Sequence, residues 1–314
     1  MSITPDYVIH KHHFHNGWDN AYRPAAKIGP GEVVQFEITD ASGGQITETS
    51  TVDVFKRYDP EKVNPVTGPI YIDNAEPGDT LKISVLSLDP SGWGWTAILP
   101  DFGLLADQFK EPHLHLWHFD KSVRTPATFC DSARVPLKPM IGTIGVAPAE
   151  EGFHSILPPR NVGGNMDIRD LNEGAILYLP VAVTGALFSV GDTHTAQGDG
   201  EVCGTAIESA IDVALKFDLI KGERLKFPRM TTAGPVSHHL DTKGYEVTTG
   251  IGPDLMAAAQ NAVSAMIDLL TRQYKLTPEE AYMLCSVCGD LKISEVVDKP
   301  NWVVSFYFPK VVFE

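Results

Sequence analysis

Leu81-Lys82-Ile83-Ser84-Val85-Leu86-Ser87-Leu88 sets apolar side chains at alternate positions for most of its length. A period of two belongs to a strand with one face buried, and Pro77-Gly78-Asp79 supplies the turn that feeds it. Upstream, Glu32 to Thr39 alternates more loosely and runs into the turn residues Asp40 to Gly44. Downstream, Leu177 to Val183 reads as a buried strand. From Ile211 the apolar Val213, Leu215, Phe217 and Leu219 interleave with Asp212, Ala214, Lys216 and Asp218, so Glu208 to Ile220 is expected to be β. Between Ser91 and Pro159, Pro, Gly and aromatic residues occur without a sustained period, which predicts long loops over a β scaffold.

Helical periodicity comes late. After Pro253, the residues Leu255, Ala259, Val263, Met266, Ile267 and Leu270 recur at spacings of three and four, predicting a helix near 254–274. Thr277-Pro278-Glu279-Glu280 reads as a capping box opening a second helix near 278–285, and Trp302 to Phe308 as a closing strand. The class is therefore α+β and predominantly β, a sandwich- or barrel-like core with two late helices. The expected organisation is one unit over 1–314, with a soft division between a β-rich part, 1–220, and an α+β part, 221–314.

The chain has 314 residues, 43% hydrophobic and 21% charged, proportions that exclude disorder and fibrous repeats. Its formal charge of -15 argues against nucleic acid and anionic membranes as partners and favours a small neutral or cationic molecule. The most apolar stretch, Ala175 to Val190, is interrupted by Pro180, Thr184, Gly185 and Ser189 and is too short to span a bilayer of about 30 Å. Met1 to Trp18 lacks the apolar region of a secretory signal, and four cysteines are too few for a disulfide framework, so the expected compartment is the cytoplasm. Cys285 and Cys288, a single C-x-x-C, read as a buried structural pair.

The densest polar block is Gly191-Asp192-Thr193-His194-Thr195-Ala196-Gln197-Gly198-Asp199-Gly200-Glu201, directly after an apolar strand. In extended chain Asp192 and His194 share a face, as two ligands of one ion require, and Asp199 and Glu201 repeat the spacing. The spacing does not fit an EF-hand. A second block, Arg160-Asn161-Val162-Gly163-Gly164-Asn165-Met166-Asp167, places Asn165 and Asp167 two apart as further ligands or substrate contacts. His10, His12, His13 and His15 read as a histidine-dotted edge strand. No G-x-S-x-G elbow, Walker sequence or G-x-G-x-x-G after a strand is present, which leaves Cys203, two residues beyond Glu201, as the one suspected nucleophile.

Several blocks resemble the acetamidase/formamidase family, in order along nearly the whole chain. They are Trp18-Asp19-Asn20 with Gly31 to Gln45; Gly68-Pro69-Ile70-Tyr71 with Glu76-Pro77-Gly78-Asp79; Gly163-Gly164-Asn165-Met166-Asp167; Leu179-Pro180-Val181 with Gly185 to His194 and Gln197 to Glu201; and Ala281 to Ser286 with Gly289-Asp290-Leu291. The resemblance implies hydrolysis of a short aliphatic amide, such as formamide or acetamide, by a β-rich homo-oligomer holding a divalent metal. On the family's acidic block, chemistry and spacing then suggest Asp192, His194 and Asp167 as ligands of zinc, or of calcium. Glu201 and Asp199 are the expected catalytic groups, with Glu201 as general base and then acid, and Asn165 and Gly164 the expected substrate contacts. Trp93-Gly94-Trp95 is a candidate pocket wall, whereas Phe188 is better read as packing. The rival readings are a thioester enzyme using Cys203, and a non-catalytic small-molecule binding module stabilised by calcium.

Overall fold

The computed structural model describes residues 3–314. Two six-stranded sheets form its larger part. In the first the strand order is Tyr7–Ile9, Val33–Phe36, Ile211–Ile220, Thr80–Pro90, Ile176–Pro180, Arg229–Thr231. The alternating segment around Leu81 lies near its centre, paired on one side with Ile211–Ile220 and on the other with Ile176–Pro180. In the second sheet Gly163–Asn165, Met140–Val146, Phe188–His194, Val66–Ile72 and Phe14–His15 follow one another, with Ala26–Ile28 parallel to Val66–Ile72. Apolar faces of the two sheets share one core, in which Phe36, Phe188 and Phe217 meet with ring centroids 4.8 to 6.3 Å apart. Phe188 is thus packing, as its place in the apolar strand predicted.

A third sheet, Tyr245–Gly252, Trp302–Pro309 and Asp290–Glu295, carries the helices. Helix α1, Leu255–Tyr274, starts at Asp254, whose side chain accepts from the Ala257 N–H, and stops where Lys275 turns left-handed at φ 58°. Helix α2, Pro278–Cys288, has the expected capping box between Thr277 and Glu280 and runs three residues beyond the expected end. Gly250 permits the close approach of α1 to the sheet, because a Cβ there would stand 1.9 Å from the Ala258 carbonyl oxygen. Met266, Leu270, Tyr282, Phe306 and Phe308 centre this second core, to which residues from the 98–135 and 196–207 regions also contribute. Cys285 and Cys288 lie buried within it as free thiols.

The stretch from Ser91 to Pro159 corrects the loop expectation, for it holds the hairpin Trp93–Ile98 with His113–His118, the short pair Ala127–Phe129 with Ala133–Val135, and Met140–Val146. Met140–Val146 is buried at every position, so it has no polar face to announce a period of two. No helix among the described residues is long and apolar enough to cross a membrane.

Candidate active site

Phe188–His194 runs through the middle of the second sheet, buried throughout, and carries Asp192 and His194 into the interior. Asp192 adopts φ 48°, a left-handed conformation that Asp tolerates better than most residues. Its Oδ2 accepts from Asn64 Nδ2 at 3.0 Å and lies 3.0 Å from Thr143 Oγ1; that hydroxyl is also 2.5 Å from Asn165 Oδ1. Its Oδ1 faces His194 Nε2 at 3.1 Å, so the two residues read as one face from their spacing do meet.

Gln197 sets the imidazole. Its Nε2 donates to the Asp167 carbonyl at 2.6 Å, so its Oε1, 2.8 Å from His194 Nδ1, accepts a hydrogen bond from that ring N–H. That leaves Nε2 turned toward the carboxylates, as the ring atom available to a cation. A carboxylate absent from the sequence-based set faces it as well: Glu208 Oε2 stands 3.1 Å from Nε2, while Glu208 Oε1 accepts from the Ala206 N–H at 2.8 Å. The sequence places Glu208 only at the start of an expected strand, whereas the strand begins at Ile211; a carboxylate between Ile207 and Ala210 in an apolar run is the signal that marks it.

Asp167 and Glu201 complete the group. One ligand atom each from Asp167, His194 and Glu201 lies within 4.8 Å of the others, and the same holds for Asp192, His194 and Glu208. Gly142 makes this convergence sterically possible. A Cβ there would stand 2.6 Å from Asp167 Oδ1, 2.8 Å from the Asp192 carbonyl oxygen and 2.9 Å from His194 Cε1. Asn64, Asp167 and Glu201 also have left-handed φ values, of 46°, 48° and 41°. For Glu201 this is a strained conformation, of the sort that clusters at functional sites.

The electrostatics show what the cluster lacks. Burial, reinforced by Asp192, pushes the Asp167 carboxyl up to about 7. Burial and the neighbouring Asp167 raise Glu201 well above the carboxylate range, and burial raises Glu208. For His194 burial acts the other way, but the Glu208 and Asp192 charges overcome it and raise the imidazole well above its usual value. All four shifts favour positive charge, which protons or a cation can supply. Asp167 Oδ1 and Glu208 Oε2 are moreover buried without a well-aligned hydrogen bond. Orphaned carboxylate oxygens beside a preset imidazole fit a divalent metal.

These groups close one end of a cavity of about 570 Å³. Asn165, Asp167, Asp192, Glu201 and Glu208 line its polar end, while Phe55, Tyr58, Trp95, Leu99, Phe102 and Leu157 provide apolar wall. Trp95 lies in the strand Trp93–Ile98, and its indole N–H donates to Asp40 Oδ1 at 3.0 Å, which fixes the ring.

Three sequence-based candidates stand elsewhere. Asp199 is drawn off to Arg169, whose Nε is 3.2 Å away and whose guanidinium is paired with the buried Asp290; a nearby guanidinium is a stronger partner than the crowded carboxylates. Gly164 pairs with Ile144 beneath Trp18, with φ 108°, and lies outside the cavity wall. Cys203 is fully buried, with Sγ 3.5 Å from the Ala97 carbonyl oxygen, and burial pushes its thiol up to about 11, so no thiolate is available near neutral pH. Of the amino-terminal histidines, His10 faces Glu37 and His15 faces Ser189; neither joins a ligand group among the described residues.

The Acetamidase/Formamidase family pattern matches residues 3–156 and 149–314. The formamidase of Methylophilus methylotrophus is 27% identical, over 96% of this chain and 89% of that protein. Among solved structures, a gamma lactamase from Delftia acidovorans superposes with a TM-score of 0.90 at 25% identity, over 98% of this chain and 93% of that one. An acetamidase from Bacillus halodurans gives 0.68 at 32% identity, over 96% and 97%. With both halves matched and the fold shared along the chain's length, this protein belongs to the acetamidase/formamidase family of amidohydrolases.

Proposed function

We propose that the polar end of the cavity hydrolyses a carboxamide to carboxylate and ammonia, with Asp192, His194 and Glu208 holding a divalent metal and Asp167 completing its shell. The carrying observation is a buried Asp167 Oδ1 with no hydrogen-bond partner, beside an imidazole whose Nε2 is faced at 3.1 Å by both Asp192 Oδ1 and Glu208 Oε2. The mixed set of carboxylates and imidazole suits zinc better than calcium, which prefers oxygen alone. Such an ion, when bound, would make its water acidic enough to yield hydroxide near neutral pH and would polarise a carbonyl.

The chain's own residues do the rest. Asn165 lines the cavity with its Oδ1 turned to Thr143, which leaves its amide N–H groups for the substrate carbonyl oxygen. Glu201 lines the same end and accepts the proton of the attacking water, then returns it to the departing nitrogen so that ammonia leaves instead of an amide anion. Asn64 and Gln197 hold Asp192 and His194 in place. Formamide and acetamide present the bond this arrangement attacks with ammonia as the leaving group; in a lactam, the substrate named for the Delftia neighbour, the same bond opens with the nitrogen kept as an amine.

Ammonia release by wild type and His194→Ala, with elemental analysis of both proteins, tests the assignment. Loss of metal and of turnover together supports it; equal turnover and equal metal content in the two proteins refutes it.

A further inference from the structure

Formamide and acetamide leave most of this cavity unused. Acetamide, with four heavy atoms, occupies roughly 100 Å³ if each claims the share of a water-sized group. The cavity has about 570 Å³, and beyond the carboxylate end its wall is largely apolar. Water filling the remainder would cover Phe55, Phe102 and Leu157 at a cost that an apolar substituent removes.

Resting on the amide-hydrolysis reading, we infer that the preferred substrate is a neutral primary amide whose acyl part carries an aromatic or branched hydrocarbon group of roughly six to ten carbons, a size that drug-like pockets of this volume accommodate. The wall selects for it in three ways. Aromatic side chains at Phe55, Tyr58 and Phe102 offer stacked and edge-on contacts to a ring. Trp95, buried and pinned by its bond to Asp40, backs that wall and keeps it preorganised. Asp53 and Lys56 pair with each other at 2.6 Å at the cavity's edge, and the polar end is acidic, so an anionic substituent finds repulsion and no unpaired lysine at that edge.

The test is kcat/KM for ammonia release from formamide, acetamide, butyramide, isovaleramide and phenylacetamide, using the protein with its bound metal. The expected result is a rise of about fourfold per buried methylene, placing phenylacetamide at least a hundredfold above acetamide. Leu157→Trp, which narrows the cavity at a half-exposed position, should lower phenylacetamide turnover at least tenfold more than acetamide turnover. Ammonia release that is equal across the series, or fastest with formamide or acetamide, overturns the substrate class while leaving amide hydrolysis intact. An equal effect of Leu157→Trp on both amides also overturns it. No ammonia from any member, with metal bound, overturns both readings.

Discussion

Gly142→Ala introduces one methyl group at the point where three parts of the site converge. The added Cβ would be 2.6 Å from Asp167 Oδ1, 2.8 Å from the Asp192 carbonyl oxygen and 2.9 Å from His194 Cε1, whereas ordinary van der Waals contact begins near 3.4 Å. The Asp192 carbonyl belongs to a strand laddered to the one that carries Gly142, so it can yield little. The displacement falls on the Asp167 carboxylate, which must retreat by about 0.8 Å, and on the imidazole, by about 0.5 Å. A misplacement near 1 Å at a reacting centre costs on the order of 10²-fold in rate, about 2.7 kcal/mol in the barrier. Overpacking of a buried strand costs about 1–3 kcal/mol of stability.

Gly142→Ala should therefore remain folded, with kcat/KM for the best amide reduced about a hundredfold and metal content diminished. Gly252→Ala is the matched control, because its Cβ would meet only the Asp254 carbonyl oxygen at 4.0 Å. Ammonia release, thermal melting and elemental analysis on the three proteins separate loss of the site from loss of the fold. If Gly142→Ala retains kcat/KM within threefold of wild type, the convergence of Asp167, Asp192 and His194 is not what the chemistry uses.

Glu208→Gln keeps the side-chain shape but removes the charge facing His194 Nε2, and should reduce both metal content and kcat/KM by at least tenfold; full metal loading with wild-type turnover would contradict the ligand role. Glu201→Gly relieves a left-handed backbone at φ 41° and removes a carboxylate that burial disfavours, so urea denaturation should show about 1 kcal/mol of added stability while ammonia release is lost. Cys203→Ala should cost about 1 kcal/mol through the small cavity it leaves, with turnover within threefold of wild type; abolished turnover with metal retained would revive the thioester route. His115 packs against Trp117 and Phe129, and burial lowers its pKa to about 4 from 6.5. As pH falls the unfolded chain binds that proton first, so His115 contributes full stability above about 6.5 and loses it progressively down to about 4, by at most about 3 kcal/mol. His115→Phe should flatten that part of the curve of stability against pH, and an unchanged slope would assign the acid sensitivity to other groups.

How much of this could be read from the chain alone depended on how local each signal was. Leu81 to Leu88 announced itself because Lys82 and Ser84 are only partly covered while Leu81 and Ile83 are buried. Met140–Val146 and Val66–Ile72 flank the strand that bears the site, yet they are covered on nearly every residue and give no alternation. The Asp192 and His194 pair was legible because its spacing is two. Asn64, 128 positions from Asp192, was not, since a bond of that separation exists only after the sheets are assembled. Asp199 and Glu201 looked equivalent in sequence and separated for the same reason, because Arg169 and Asp290 arrive from distant segments and capture Asp199.

The same nonlocality explains how so much negative charge survives inside the fold. Asp167, Asp192, Glu201 and Glu208 surround one imidazole, and three of the four take left-handed φ values; each such conformation costs about 1–3 kcal/mol. Within the Gly191 to Glu201 block only Gln197 offsets that cost locally. It is met by the aromatic core of Phe36, Phe188 and Phe217 behind the strand, and by the hydrogen bonds of Asn64, Thr143 and Gln197 in front of it. A cluster assembled this way cannot relax by moving one loop, since Asp192 and His194 sit on a strand laddered on both sides while Asp167, Glu201 and Glu208 come from separate segments. Its remaining route to lower energy is to take up positive charge, as protons on the raised carboxyls or as the cation proposed above.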